Sequence, residues 1–407
     1  MEKKRVIFVD EDAVSLRSLR RMLIQMPEQW EFGFAESSES ALDILQKETY
    51  DVIVADIRMP KMDGVQLLSQ IKENYPGMVR MILSGHSNRE LIIQSTGPCH
   101  QFLSKPTSSE KLISTIHKAV ALRDLLEDTT LQNAIAQLEG IPSIPQIYLD
   151  LNAEIKSANA SLKKIGQIVS RDIGMSAKIL QLVNSAFFGL PRHIASVEQA
   201  VRLLGMEIIS ALVLSTKIFS LFQSPKTGNF SLEWLTNHNF LVANYAKNIA
   251  NAHGCDSTLC EQSFLSGLLH DIGKLIFYTI HQQKYDEILA TITTSNMHIF
   301  ELEEQSFGSS HASIGAYLLG LWGLPDTVVE ALAFHHKPAL SMDIEFTPLT
   351  AVHIANVFYY ELNANSGSGK IPSLDRHYLD TLGISEQITA WREKCQITTG
   401  AEAEQAS

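Results

Sequence analysis

Acidic, hydroxyl and basic residues recur in the N-terminal part of the chain at one kind of position, the end of a short apolar run. Residues 5–9 lead into Asp10 and Glu11, 52–55 into Asp56, 78–83 into Ser84, and 100–103 into Ser104 and Lys105. Such runs read as strands buried on both faces. Open α/β sheets bind ligands outside the carboxyl ends of their strands. The carboxylates Asp10, Glu11 and Asp56 would repel one another there unless a hard divalent cation lay among them, and Mg²⁺ with oxygen ligands suits the set. Beside Mg²⁺ and Lys105, the Asp56 carboxylate is set up to attack a phosphoryl group and become an aspartyl phosphate.

A second set is rich in imidazoles. His238 precedes a helical run over 240–249, and His270-Asp271 ends an apolar one. His311 leads 312–319, and His335-His336 follows 328–334. Taken singly, a helical histidine is usually a hydrogen-bonded core or surface residue. Neutral imidazoles gathered with a carboxylate are good ligands for divalent iron, manganese or zinc.

Helical patterns over 13–26, 38–47, 64–74, 88–95 and from Ser108 onward separate the N-terminal runs, and Pro60 with Asp63-Gly64 makes the loop after Asp56. Strand and helix alternating at these lengths predict a doubly wound parallel sheet. From the punctuation at Gly140-Ile-Pro-Ser-Ile-Pro145 the pattern changes. Ser161 caps a helix with Leu162, Ile165, Ile168 and Val169 on one face, Asp172-Ile-Gly174 breaks it, and Ser176 starts the next. Ser196 and Gln199 form a capping box ahead of Ala200, Leu203 and Leu204. No useful alternating pattern appears from 140 to 340, so this part is predicted all-α. Asn184, near a helix end, is predicted to satisfy backbone groups rather than a ligand. Residues 363–375 read as a polar loop, 378–391 as a last helix or two split at Gly383, and 400–407 as a disordered acidic tail.

On Asp10-Glu11, Asp56, Ser84 and Lys105 at their strand ends, residues 3–122 resemble a response-regulator receiver domain. The resemblance implies a flavodoxin-like, five-stranded parallel sheet. It makes Asp56 the phospho-acceptor and assigns Mg²⁺ to Asp10, Glu11, Asp56 and the Arg58 carbonyl. Lys105 would pair with the phosphoryl oxygens, Ser84 would donate its hydroxyl to them, and Phe102 would change position on activation. Glu11 stands where the family often has Asp, and the charge is kept. The phosphoryl donor would be a cognate histidine kinase or a phosphotransfer protein.

Two later passages resemble an HDOD domain, an output module related to HD-type metal phosphohydrolases. They are 173–205, containing Leu182-Val-Asn-Ser-Ala-Phe-Phe-Gly189, and Gly267-Leu-Leu-His-Asp-Ile-Gly-Lys-Leu275. This resemblance covers about 140–340, with a helical core reaching 360. It places His238, His270, Asp271, His311, His335 and His336 where the metal-binding HD hydrolases have ligands. Asn356 stands where those enzymes have a last Asp. Its oxygen can coordinate, but it lacks the charge that holds the cation and orients its water. Lys337-Pro-Ala-Leu340 replaces the Gly-Tyr-Pro motif of the cyclic-di-GMP phosphodiesterases. HDOD domains are regarded as regulatory, so an interaction module is expected ahead of a phosphorylation-gated metal phosphohydrolase acting on a nucleotide or other phosphoester. A metal retained for structure lies between these two.

The 407 residues, 45% apolar and 19% charged, suit two or three globular domains. The expected division is 1–122 receiver, 123–139 helical linker, 140–362 HDOD domain, and 363–407 loop, C-terminal helix and tail. Leu126 and Leu131 break a strict heptad, favouring a separate short helix over a dimer seam, although a homodimer stays open. A net charge of −12 and a pI near 5.6 disfavour a nucleic-acid partner. The N-terminal apolar run is too short for a signal peptide, and Arg202, Glu207 and Lys217 interrupt 201–222 as a membrane span. Cys99, Cys255, Cys260 and Cys395 have no Cys-x-x-Cys spacing and read as reduced thiols. A cytoplasmic response regulator acting on a downstream signalling protein is expected.

Overall fold

A computed structural model of the chain describes residues 4–23, 30–75, 77–85, 99, 101–105, 112–113, 115–116, 120, 145–157, 159–185, 194–220, 230–341, 345–363 and 370–405. The chain divides into two compact units, Met1–Ile144 with Tyr317–Leu324, and Pro145–Ala316 with Pro325–Ser407.

In the first unit, β1 (Lys4–Val9), β2 (Trp30–Ala35), β3 (Val52–Asp56), β4 (Val79–Gly85) and β5 (Gln101–Lys105) form a 5-stranded sheet in the order β2-β1-β3-β4-β5. Every pairing is parallel. Val6 to Val9 and Val52 to Ala55 are buried, as strands covered on both faces must be. Between the strands run α1 (Ala13–Leu23), α2 (Ser38–Leu45) and α3 (Gly64–Asn74). Asp63 starts α3 through a capping box: its carboxylate accepts from the Gln66 amide at 2.8 Å, and Gln66 Oε1 accepts from the Asp63 amide at 3.1 Å.

The apolar runs of the sequence fall on β1, β3, β4 and β5. None marked β2, for a physical reason. It is an edge strand interrupted by Gly33, and only its end residues Trp30 and Ala35 are buried, so it carries no apolar run. The helical pattern over 88–95 and the linker 123–139 lie outside the described residues.

The second unit is helical. Its first half comprises α4 (Gln146–Ile155), α5 (Leu162–Ser170), α6 (Ile173–Val183), α7 (Val197–Leu204), α8 (Met206–Ser220) and α9 (Leu232–His253). Then follow α10 (Ser257–Leu269), α11 (Ile272–Ile280), α12 (Gln282–Ile292), α13 (Ile299–Phe307), α14 (His311–Leu321) and α15 (Asp326–Phe334). The last helices are α16 (Pro348–Leu362), α17 (Arg376–Thr381) and α18 (Ile388–Gln405). Among the described residues no helix is long and apolar enough to cross a membrane. Val242 and Tyr245 of α9, Cys260 of α10, Phe358 of α16 and Trp391 of α18 share one buried cluster.

Two helix starts differ from expectation. Ser161 occupies the N-cap of α5 but makes no side-chain cap bond. α6 begins at Ile173, not Ser176, because the Asp172 carboxylate accepts from the Met175 amide at 2.9 Å. A carboxylate at the N-cap favours the helix start, and Ser176, already inside the helix, donates back to the Val169 carbonyl. Ser196 caps α7 by accepting from the Gln199 amide. Asn184 behaves as expected: it donates to the Leu180 and Ile194 carbonyls and accepts from the Ile194 amide at 2.7 Å. The terminal segment expected to be disordered is helical through Gln405.

Candidate functional site

The parallel register carries the ends of β1, β3 and β5 to one edge of the first unit. There the Lys105 ammonium lies 2.7 Å from Asp10 Oδ2 and pairs also with Asp56 Oδ1. The remaining carboxylate oxygens are oriented by the backbone: Asp10 Oδ1 accepts from the Asp12 amide at 2.9 Å, and Asp56 Oδ2 from the Arg58 amide at 2.8 Å. Asp12 itself is turned to helix capping, accepting from the Val14 and Ser15 amides. Glu11 is exposed. Burial opposes the charge on Lys105, but the Asp10 and Asp56 carboxylates outweigh it and raise its pKa. Ser84 pairs in register with Ser104, and Phe102 with Ile82; the side chains of both predicted residues lie outside the described ones. Asp10, Glu11 and Asp56 carry more negative charge than Lys105 neutralises, and they offer only oxygen donors, which fits Mg²⁺.

In the second unit the predicted histidines converge on Asp271. This residue sits at the corner between α10 and α11, and it belongs to two groups of potential ligands. One contains His238 and His270, the other His311, His335 and His336, and within each the ligand atoms lie within 4.8 Å of one another. His238 Nε2 is 3.3 Å from Asp271 Oδ2 and 3.2 Å from His270 Nε2. On the other side, His311 Nε2 is 3.1 Å from Asp271 Oδ1 and 2.9 Å from His336 Nε2. His335 Nε2 stands 3.9 Å from the same oxygen.

The outer nitrogens fix which way these rings present themselves. His270 Nδ1 bonds the Gly267 carbonyl at 2.7 Å, and His335 Nδ1 the Leu332 carbonyl at 2.8 Å. Both therefore turn an unprotonated Nε2 inward. Burial pushes the His270 pKa down to about 3 and holds those of His335 and His336 well below the usual range. Burial works against the charged form of Asp271 too, but the surrounding imidazoles and the Lys274 ammonium outweigh it and keep Asp271 ionised.

Several contributors were absent from the sequence expectations. Glu303 of α13 is fully buried, and it accepts from His311 Nδ1 at 2.6 Å, from the His311 amide at 2.8 Å and from Tyr285 Oη at 2.8 Å. His353 Nδ1 holds the His335 carbonyl, while its Nε2 accepts from the Asp375 amide. Lys274 Nζ lies 2.5 Å from Asp271 Oδ2. Glu303 is set apart from His311 by a helix end and a turn, and no spacing rule joins them; only the fold does.

The donor chemistry fits a divalent cation. His335 Nε2 and Asn356 Oδ1 are buried and have no hydrogen-bond partner among the described residues. His238 Nε2 with His270 Nε2, and His311 Nε2 with His336 Nε2, approach to about 3 Å, so a proton or a cation must lie between the members of each pair. Asn356, midway along α16, shares a recess with His335 and His336. Removing the charge that orients His311 should weaken cation binding about 10–100-fold, as for other residues that hold a ligand in place. Chelator competition on Glu303→Gln is expected to read that loss with the fold intact.

Gly273 makes the corner possible. A Cβ there would meet the His311 backbone, 2.6 Å from its carbonyl carbon. This close approach clamps the start of α14 onto the start of α11, which sets His311 beside Asp271. Gly→Ala within a helix ordinarily stabilises by about 1 kcal/mol. Here the clash is expected to reverse the sign, so that Gly273→Ala costs roughly 1–3 kcal/mol in urea unfolding.

Comparison with known proteins follows the same division. Residues 6–117 match the response regulator receiver domain, and residues 141–338 match the HDOD domain. An uncharacterized protein of Treponema pallidum is 27% identical over 263 residues, covering 63% of this chain and 50% of that protein. The hydrogenase transcriptional regulatory protein HoxA of Bradyrhizobium diazoefficiens is 33% identical over 126 residues, covering 30% of this chain and 25% of its own. The chain thus spans half or less of the length of these curated relatives. Among solved structures, the "Putative phosphohydrolase from Shewanella amazonensis SB2B" aligns with a TM-score of 0.53 and 21% identity, over 68% of this chain and 97% of that one. The "Putative signal transduction protein" from Marinobacter aquaeolei VT8 aligns with a TM-score of 0.52 and 17% identity, over 83% and 84%. At these identities the likeness speaks for the fold.

Proposed function

Since this chain is a response regulator, a receiver domain joined to an HDOD output domain, we propose that phosphorylation of Asp56 controls an HDOD domain that acts by protein interaction. The observation that carries this reading is the Lys105 ammonium spanning Asp10 and Asp56 at the strand ends. Asp56 attacks the phosphorus of a phosphohistidine donor, and the P–N bond breaks as the carboxylate–phosphorus bond forms. Asp10, Glu11 and Asp56 would hold Mg²⁺, which supplies charge neutralisation for the transferring phosphoryl group. Lys105 then pairs with the phosphoryl oxygens, with Ser84 and Phe102 as the moving parts. The new charge shifts the receiver between two pre-existing states. The donor is a histidine kinase or a phosphotransfer protein, the output partner another signalling protein, and the compartment the cytoplasm.

Interaction is placed ahead of catalysis for two reasons. Asn356 brings no charge to the cluster, and Lys274 already compensates the Asp271 carboxylate. A dication there meets one neutralised carboxylate among imidazoles. The second reading, a phosphorylation-gated phosphohydrolase, is favoured by the convergence of His238, His270, Asp271, His311, His335 and His336 itself. Iron, manganese or zinc held by these residues would supply Lewis acidity toward a phosphoester oxygen.

Intact-mass analysis after incubation with acetyl phosphate and Mg²⁺ tests the proposal. One phosphoryl group per chain, mapped to the peptide containing Asp56, is expected. A chain that stays unmodified, or is modified elsewhere, would overturn it.

A further inference from the structure

Beside the imidazole cluster lies a cavity of about 590 Å³, within the range of small-molecule sites. Trp234, Phe300 and Tyr360 contribute aromatic walls, and Lys370 contributes an ammonium group at the rim, while that of Lys274 at the floor is already paired with Asp271. Among the described residues no carboxylate lines it, although acidic residues outnumber basic ones 45 to 33 in the chain. A cationic lining in an acidic protein selects for an anion. The buried Asn356, 3% exposed, also lines the cavity, and its Oδ1 has no hydrogen-bond partner among the described residues. That oxygen asks for a donor.

We propose that this cavity binds a small anion carrying a planar aromatic group, and that such a ligand is a second input to the HDOD domain beside the receiver. The anion meets Lys370, the ring lies against the aromatic walls, and a ligand N–H or O–H reaches Asn356. None of these contacts requires a metal, so the inference stands apart from the hydrolase reading. Two sources share the chemistry: nucleoside monophosphates and aromatic carboxylates.

Calorimetry on the full chain, stripped of divalent metal with chelator, distinguishes them. The probes are the common ribonucleoside 5′-monophosphates, their parent nucleosides, indole-3-carboxylate and inorganic phosphate. At least one aromatic anion is expected to bind tenfold or more tightly than phosphate or its uncharged parent. Lys370 is exposed at the rim, so Lys370→Glu should weaken that binding at least tenfold with an unchanged unfolding midpoint. Ala290→Trp, which fills the cavity from α12, should do the same. Nucleotide-only or carboxylate-only binding supports the proposal and names the source. No binding by any aromatic anion, or binding untouched by both variants, would overturn it. Absence of metal or of turnover would count against the metal readings of the imidazole cluster and not against this cavity.

Discussion

Asp56→Asn is expected to leave the chain unable to take up a phosphoryl group from acetyl phosphate, with incorporation down by at least about 10²-fold, since removing a nucleophile typically costs far more. The amide nitrogen of Asn cannot form the acyl phosphate. The loss should be chemical and not structural. Lys105 keeps its 2.7 Å partner Asp10 when Asp56 loses its charge, and the repulsion between the two carboxylates falls. The backbone bond from the Arg58 amide needs only an oxygen acceptor, which Asn retains. Urea unfolding run in parallel is therefore expected to move little. A mutant that still incorporates phosphoryl groups would remove Asp56 from its assigned role.

The second large effect is expected at His270. The full chain supplied with manganese, iron or zinc should take up the ion, and His270→Ala should lose it. Each ring in the cluster is positioned by a separate bond, so its neighbours cannot swing in to replace it: His270 by Gly267, His335 by Leu332 and His311 by Glu303. Removing one ligand also leaves Asp271 more dependent on Lys274, which holds the carboxylate against the cation. Elemental analysis measures both chains, and circular dichroism confirms that the mutant is folded. The interaction reading expects metal uptake without turnover of a simple phosphodiester such as bis(p-nitrophenyl) phosphate. Turnover that His270→Ala abolishes would put the hydrolase reading first.

What was legible in the sequence follows from where the information lies. β1, β3 and β4 carry buried runs because the strands are covered on both faces, β5 carries an apolar one, and a chemically informative residue stands just beyond or at the end of each. β2 carries none because Gly33 interrupts it and only its end residues Trp30 and Ala35 are buried. The clustered histidines could be read because His270, His311, His335 and His336 sit at or just beyond helix ends beside apolar segments, and His238, inside α9 and not before it, directly precedes one. Their helpers could not. Glu303, His353 and Lys274 act through tertiary contacts, and a buried glutamate looks in sequence like any solvated one. The same limit hid Gly273, whose reason for being glycine is the backbone of His311 packed against it. Asp172 was legible in retrospect, since a carboxylate outranks a downstream serine at a helix start.

The central claim is that phosphorylation at Asp56 is felt in the HDOD domain. Hydrogen–deuterium exchange of the full chain, with and without acetyl phosphate and Mg²⁺, tests it most directly. The account predicts altered protection in peptides within 145–405 of the wild-type chain, and no such change in Asp56→Asn. Full phosphorylation of Asp56 with exchange in 145–405 unchanged would contradict it.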